Sequence, residues 1–225
     1  MPDCEVYMHE AVRRLRDAFG ARLLYVGLQG SYLRGEAKEG SDIDLMVVIE
    51  SLTKADLDLY REVIAALGSP ELSCGFLCGG EELRSWNPLE LCHLAHSTKD
   101  YYGTLSSLLP AYNREDHLHY VQLSLGNLYH ALCHRYVHAD AEKNRRKLST
   151  HEKELFFLLL NLYYLKTGVF AENRAALQQM LSPQDLALYR MVAYEAAEPE
   201  YDFDRVFPAV FAWCQTMLAQ VRDIS

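Results

Sequence analysis

The sequence predicts an α+β protein: an N-terminal half built on a small mixed sheet, and a C-terminal all-α up-and-down bundle. Three observations carry that prediction. Short apolar runs at residues 23–26 and 45–49, the second rich in β-branched residues, have the length and composition of buried strands. A third such run lies at residues 71–77. From residue 104 onward no period-two alternation remains, and apolar residues recur at spacings of three and four. The chain therefore divides into residues 1–100 and residues 101–225.

Taken in order, residues 3–19 read as an amphipathic helix with Val6, Ala11, Leu15 and Phe19 inward, stopped by Gly20. The first two strands follow, separated by a polar stretch. Residues 53–67 form the next helix, with Ser51 or Thr53 as N-cap and Leu57, Tyr60, Val63, Ile64 and Leu67 on its inner face. Gly68-Ser69-Pro70 ends it. After the third strand, Gly79-Gly80 makes a turn, and Asn87-Pro88 starts a short helix, because asparagine caps and proline has no N–H to lose. Residues 98–103, polar and aromatic, read as the link between the halves. Four main helices follow at 114–139, 142–166, 183–197 and 204–221, with shorter pieces at 104–109 and 172–181. Leu118, Val121, Leu125, Leu128, Leu132 and Tyr136 form the buried stripe of the first. Phe207, Val210, Phe211, Cys214, Met217 and Leu218 form that of the last.

The chemistry concentrates where the first two strands approach each other. Asp42 and Asp44 stand two apart at the start of the second strand, so their side chains share a face. Two adjacent carboxylates repel unless a cation lies between them. A hard divalent ion with oxygen ligands, such as Mg2+, meets that demand. Gly30 allows a tight turn and a close approach of backbone to ligand. Ser31 adds a hydroxyl and opens a helical turn whose free N–H groups attract phosphate. A phosphate cradle beside metal carboxylates points to a nucleoside triphosphate.

Gly30-Ser31, ten intervening residues, then Asp42-Ile43-Asp44 between two strands resembles the DNA polymerase β-type nucleotidyltransferase superfamily in its small bacterial form. The resemblance covers about the first hundred residues. It implies Mg2+ held by Asp42 and Asp44, an NTP with ATP as the expected nucleotide, and phosphate contacts from Gly30 and Ser31. It also implies a third carboxylate on the third strand, acting as metal ligand or as base for the acceptor. Glu71 is the acidic residue at that strand and takes the assignment, though it reads equally as a surface residue at the strand's entry; Glu81 and Glu82, beyond Gly79-Gly80, are the weaker candidates. Arg34 suits a phosphate by its forked guanidinium, and reads equally as a solvated loop arginine. In outline the two-part chain is similar to aminoglycoside and lincosamide nucleotidyltransferases. That similarity implies transfer of a nucleoside monophosphate to a hydroxyl of a small-molecule acceptor, with release of pyrophosphate. The alternative is an antitoxin-like or regulatory NTP-binding module acting on a protein partner, with or without catalysis.

Composition narrows the partners. A net charge of −9 argues against a long nucleic acid as substrate. The most apolar segment, residues 155–165, is too short to span a bilayer. No targeting segment is visible, and a cytoplasmic protein is expected. The six cysteines are scattered and read as small buried hydrophobes. Asn127, His130, His134 and His138 share one helix face. They fit a polar seam at a bundle edge or homodimer interface, an acceptor pocket, or a metal-binding histidine pair.

Overall fold

The computed structural model of the chain describes residues 3–68, 73–140, 148–197 and 203–222. The chain forms two compact units, Met1–Tyr112 and Asn113–Ser225.

In the first unit α1 (Cys4–Phe19) starts at Asp3, whose carboxylate accepts from the Glu5 and Val6 N–H groups at 3.0 and 3.2 Å. It buries Tyr7, Met8, Ala11, Leu15 and Phe19. Val6 is 65% exposed, against expectation. The stripe through Met8, Ala11, Leu15 and Phe19 leaves position 6 on the solvent side. Next come β1 (Leu23–Gln29), the single turn α2 (Gly30–Leu33), β2 (Ile43–Ile49), α3 (Lys54–Ala65) and β3 (Ser73–Gly79). Then come α4 (Gly80–Arg84), α5 (Pro88–His96) and β4 (Lys99–Tyr102). Thr53 caps α3 in a reciprocal box with Asp56. Among the expected inner residues of α3, Val63 is buried, whereas Leu57 is 43% exposed. Asn87 caps α5, as expected.

The sheet order is β3-β2-β1-β4. β1 runs antiparallel to β2 and β4, and β2 runs parallel to β3. Ile43, Leu45, Val47 and Ile49 of β2 face a cluster with α1 and Val63 of α3. Met46 and Val48 face the opposite cluster, with Leu83 of α4 and Leu91 and Leu94 of α5. Helices on both faces explain why β2 reads as an unbroken apolar run.

Two further expectations are corrected. The third strand, expected at 71–77, is described as Ser73–Gly79 and runs two residues further along the chain. Residues 69–72, with the expected helix stop at Ser69-Pro70, lie outside the described residues. The segment read as a link is β4, paired to β1 through Val26 with Tyr102, Gly27 with Asp100, and Leu28 with Lys99. The open edge of β1 offers hydrogen-bonding groups that this short, exposed strand takes up. The Tyr25 hydroxyl donates to Asp100 at 2.6 Å and fixes the pairing.

Helices are the regular structure of the second unit among its described residues: α6 (Arg114–His138), α7 (Leu148–Thr167), α8 (Arg174–Met180), α9 (Pro183–Ala197) and α10 (Phe203–Arg222). Asn113 and Asp116 cap α6 reciprocally. Leu118, Val121, Leu125, Leu128 and Leu132 are buried as expected. Tyr136 is 58% exposed and stacks on Phe207, ring centroids 4.3 Å apart. The early part of the second expected helix, residues 141–147, lies outside the described residues. α7 packs against both α6 and α9, and buries Leu155, Phe156, Leu158, Leu159, Leu160 and Leu162, more than one face of a helix. On α10 the buried stripe is Phe203, Val206, Val210, Cys214, Met217 and Val221. Phe207 and Leu218 pack only partly against this core, and Phe211 stacks on Tyr129 with centroids 5.3 Å apart. Buried Asp185 ties the unit together. Its carboxylate accepts from Tyr163 Oη at 2.8 Å, Ser182 Oγ at 2.9 Å and Trp213 Nε1 at 2.7 Å. No helix among the described residues is long and apolar enough to cross a membrane.

Candidate functional site: a carboxylate pair beside a glycine-serine turn

β1 ends at Gln29, and the chain turns at once into α2. Gly30 makes this possible with a φ of 72°, a region that costs any L-residue energy. A second reason for glycine lies across the strand pair. Gln29 and Asp44 are register partners, and a Cβ placed on Gly30 would overlap the Asp44 Oδ2 atom. The turn and the carboxylate are therefore one packing unit. Ser31 follows on the turn, and its carbonyl accepts from the Glu36 N–H at 2.9 Å, which folds the loop back. Ser41 Oγ accepts from the Lys38 N–H at 2.8 Å, which closes the loop just before Asp42. Arg34 pairs with Glu36, Nε to Oε2 at 3.0 Å, both side chains largely covered.

Asp42 immediately precedes β2, and Asp44 is its second residue. The parallel register places Cys74 of β3 opposite Asp44. Ligand atoms of Asp42, Asp44 and Cys74 all lie within 4.8 Å of one another. Among the described residues this is the group of three or more such side chains that fits a metal ion. Cys74 is exposed, which corrects the expectation of buried cysteines; Cys78, Cys92 and Cys214 are buried as expected. Burial first, then the charges of Asp44 and Asp42, raise the Cys74 thiol above its ordinary value. The two carboxylates fit a hard divalent cation, and sulfur adds a softer donor beside them.

The structure thus brings together Gly30, Asp42 and Asp44, with Ser31 on the same turn. Arg34 is engaged by Glu36. Glu71 lies outside the described residues, two positions before β3 begins. Cys74 escapes the sequence reading because the third ligand that the resemblance implies is a carboxylate. The signal that finds it is the two-residue period of β3 read in register with Asp44.

In the second unit, Tyr120, Ser124 and Asn127 of α6 and Glu154, Phe157 and Leu158 of α7 line a hollow of about 420 Å3. Asn127 belongs to this hollow. The rings of His130 and His134 lie 6.3 Å apart, those of His134 and His138 4.9 Å, and all three side chains are exposed.

The family described as "Nucleotidyltransferase domain" matches residues 9–74. "Protein adenylyltransferase MntA" of Thermococcus cleftensis is 41% identical over 59 residues, 24% of this chain and 58% of that protein. The chain thus spans little more than half the length of that curated relative. Among solved structures, spectinomycin adenyltransferase AAD(9) from Enterococcus faecialis, with ATP and spectinomycin, aligns over 94% of this chain and 99% of its own. The TM-score is 0.59 at 13% identity, a likeness of fold along the whole length. The glycine-serine turn and the carboxylate pair, with the strands that carry them, fall within or beside residues 9–74, the stretch that is similar to a nucleotidyltransferase domain.

Proposed function

We propose that this protein transfers the nucleoside monophosphate of a Mg2+-bound NTP, with ATP as the nucleotide, to a hydroxyl of a small-molecule acceptor. The observation that carries the reading is the packing of Asp44 against the Gly30 turn with Asp42 beside it. Asp42 and Asp44 hold the divalent ion. When bound, that ion offsets the charge of the triphosphate as its bond breaks. Gly30 and Ser31 hold phosphate oxygens through backbone N–H and hydroxyl. Asp42 and Asp44 fix the nucleotide so that the acceptor oxygen attacks in line with the departing pyrophosphate, and Glu71 is the base proposed to take the acceptor's proton. The names of the two neighbours support an adenylyl group, and the whole-length fold likeness to a spectinomycin adenyltransferase supports a small acceptor.

A second reading has its own support. A similar stretch of sequence belongs to a protein adenylyltransferase, which favours a side-chain hydroxyl of a protein as acceptor. One experiment separates the two. The protein is incubated with Mg2+ and each labelled NTP, first with a panel of hydroxylated small molecules, then with cell extract. Mass spectrometry then locates the added nucleotide. An adenylylated small molecule supports the first reading, and label confined to polypeptide supports the second. Labelling of neither class, with nucleotide bound but not consumed, overturns both as catalytic proposals.

A further inference from the structure

The third donor of the cation site is a sulfur atom. We propose that Cys74 is a direct ligand and that it biases the ion touching all three side chains toward thiophilic divalent metals, of the class of Zn2+, Co2+ and Cd2+. The inference rests on the reading of Asp42 and Asp44 as a cation site and specifies its chemistry further.

Three features of the structure support it. Parallel pairing sets Cys74 opposite Asp44, and alternation along β3 puts it on the face of Phe76 and Cys78, the face that Asp44 shares with Met46 on β2. The position is fixed closely, because neighbouring Gly75 lies so near β2 that a Cβ on it would overlap the Leu45 carbonyl oxygen. β3 therefore has little room to slide or lift where Cys74 stands. Finally, the three ligand atoms already lie within 4.8 Å of one another. Two ligands on one ion, at bond lengths of about 2.0–2.3 Å, stand at most about 4.6 Å apart. Small side-chain rotations close the set.

Donor chemistry then sets the preference. Mg2+ demands oxygen ligands in near-ideal octahedral geometry and gains little from sulfur. Thiolate favours softer ions, while the two carboxylates remain acceptable to them. In a nucleotidyltransferase domain the consequence is specific. An ion held by the carboxylates and a triphosphate remains compatible with Mg2+, whereas an ion drawn in against β3 meets sulfur.

The test uses the full chain and Cd2+ as probe, because cadmium–thiolate bonds absorb in the ultraviolet. The wild type should develop a saturable sulfur-to-cadmium band. Cys74→Ser should abolish it. Asp42→Asn with Asp44→Asn should shift its midpoint to at least about tenfold higher Cd2+, in line with losses seen when metal-site partners are removed. Cys74→Asp should remove the band and raise Mg2+ affinity by at least about tenfold. A band that persists in Cys74→Ser, or ignores the aspartate changes, belongs to another cysteine and overturns the proposal. Absence of the band in the wild type overturns it without any variant. Mg2+-ATP binding, measured on the same samples, keeps the two readings apart. Nucleotide binding without the sulfur band refutes Cys74 as a ligand and leaves the transfer reading standing. The band without nucleotide binding upholds the ligand and refutes transfer.

Discussion

Replacing Gly30 with alanine separates backbone strain from site geometry, because Gly35 supplies a matched control. Both glycines have left-handed φ values, 72° and 68°. An L-residue in that region costs about 1–2 kcal/mol. For a unit of roughly a hundred residues, each kcal/mol lowers the melting midpoint by about 4–8 °C. Gly30→Ala and Gly35→Ala should therefore show similar losses of stability by circular dichroism. Their site effects should differ. A Cβ on Gly35 meets nothing within 4 Å, whereas one on Gly30 meets the Asp44 carboxylate and must push it aside. Displacing one of the two carboxylates proposed to hold the ion should weaken Mg2+-ATP binding by at least about tenfold, equivalent to about 1.4 kcal/mol. Calorimetric titration of both variants reads this directly. Equal nucleotide affinity in the two would refute the coupling of turn and carboxylate.

Two further outcomes concern the helical unit. His117 is buried, with Nε2–H donating to the Asn161 carbonyl at 2.9 Å, and burial holds its pKa below 6.5. The unfolded chain binds that proton more readily, so stability is present above the unfolded value and falls as pH drops through it. The unfolding midpoint should decline between about pH 7.5 and about pH 5.5, and less steeply in His117→Gln; parallel profiles would remove His117 as the cause. Asp185→Ala strands donors of Tyr163, Ser182 and Trp213 and should cost about 2–4 kcal/mol in denaturant unfolding, with a change in Trp213 fluorescence. A cost below about 0.5 kcal/mol would deny it the role of hub.

The site was legible where its determinants are local. A turn glycine, a serine and two aspartates with strand-forming runs on either side carry their chemistry in the sequence. Helix limits at Asp3, Thr53, Asn87 and Asn113 were marked by side chains that cap their own helices. What escaped depends on partners distant in the chain. Lys99–Tyr102 is a strand only because β1 has an open edge, and its own composition says little. Cys74 faces the carboxylates through a parallel register that no short-range pattern reports. Val6 and Tyr136 were placed inward by type, yet each falls outside the stripe that its neighbours define.

The most direct measurement is Mg2+-ATP titration of the wild type and of the Asp42→Asn, Asp44→Asn double variant, each with and without chelator. The account predicts ion-dependent binding in the wild type. It predicts loss of that binding in the double variant, with the melting midpoint preserved. Undiminished binding in the folded double variant would contradict the assignment of these two carboxylates.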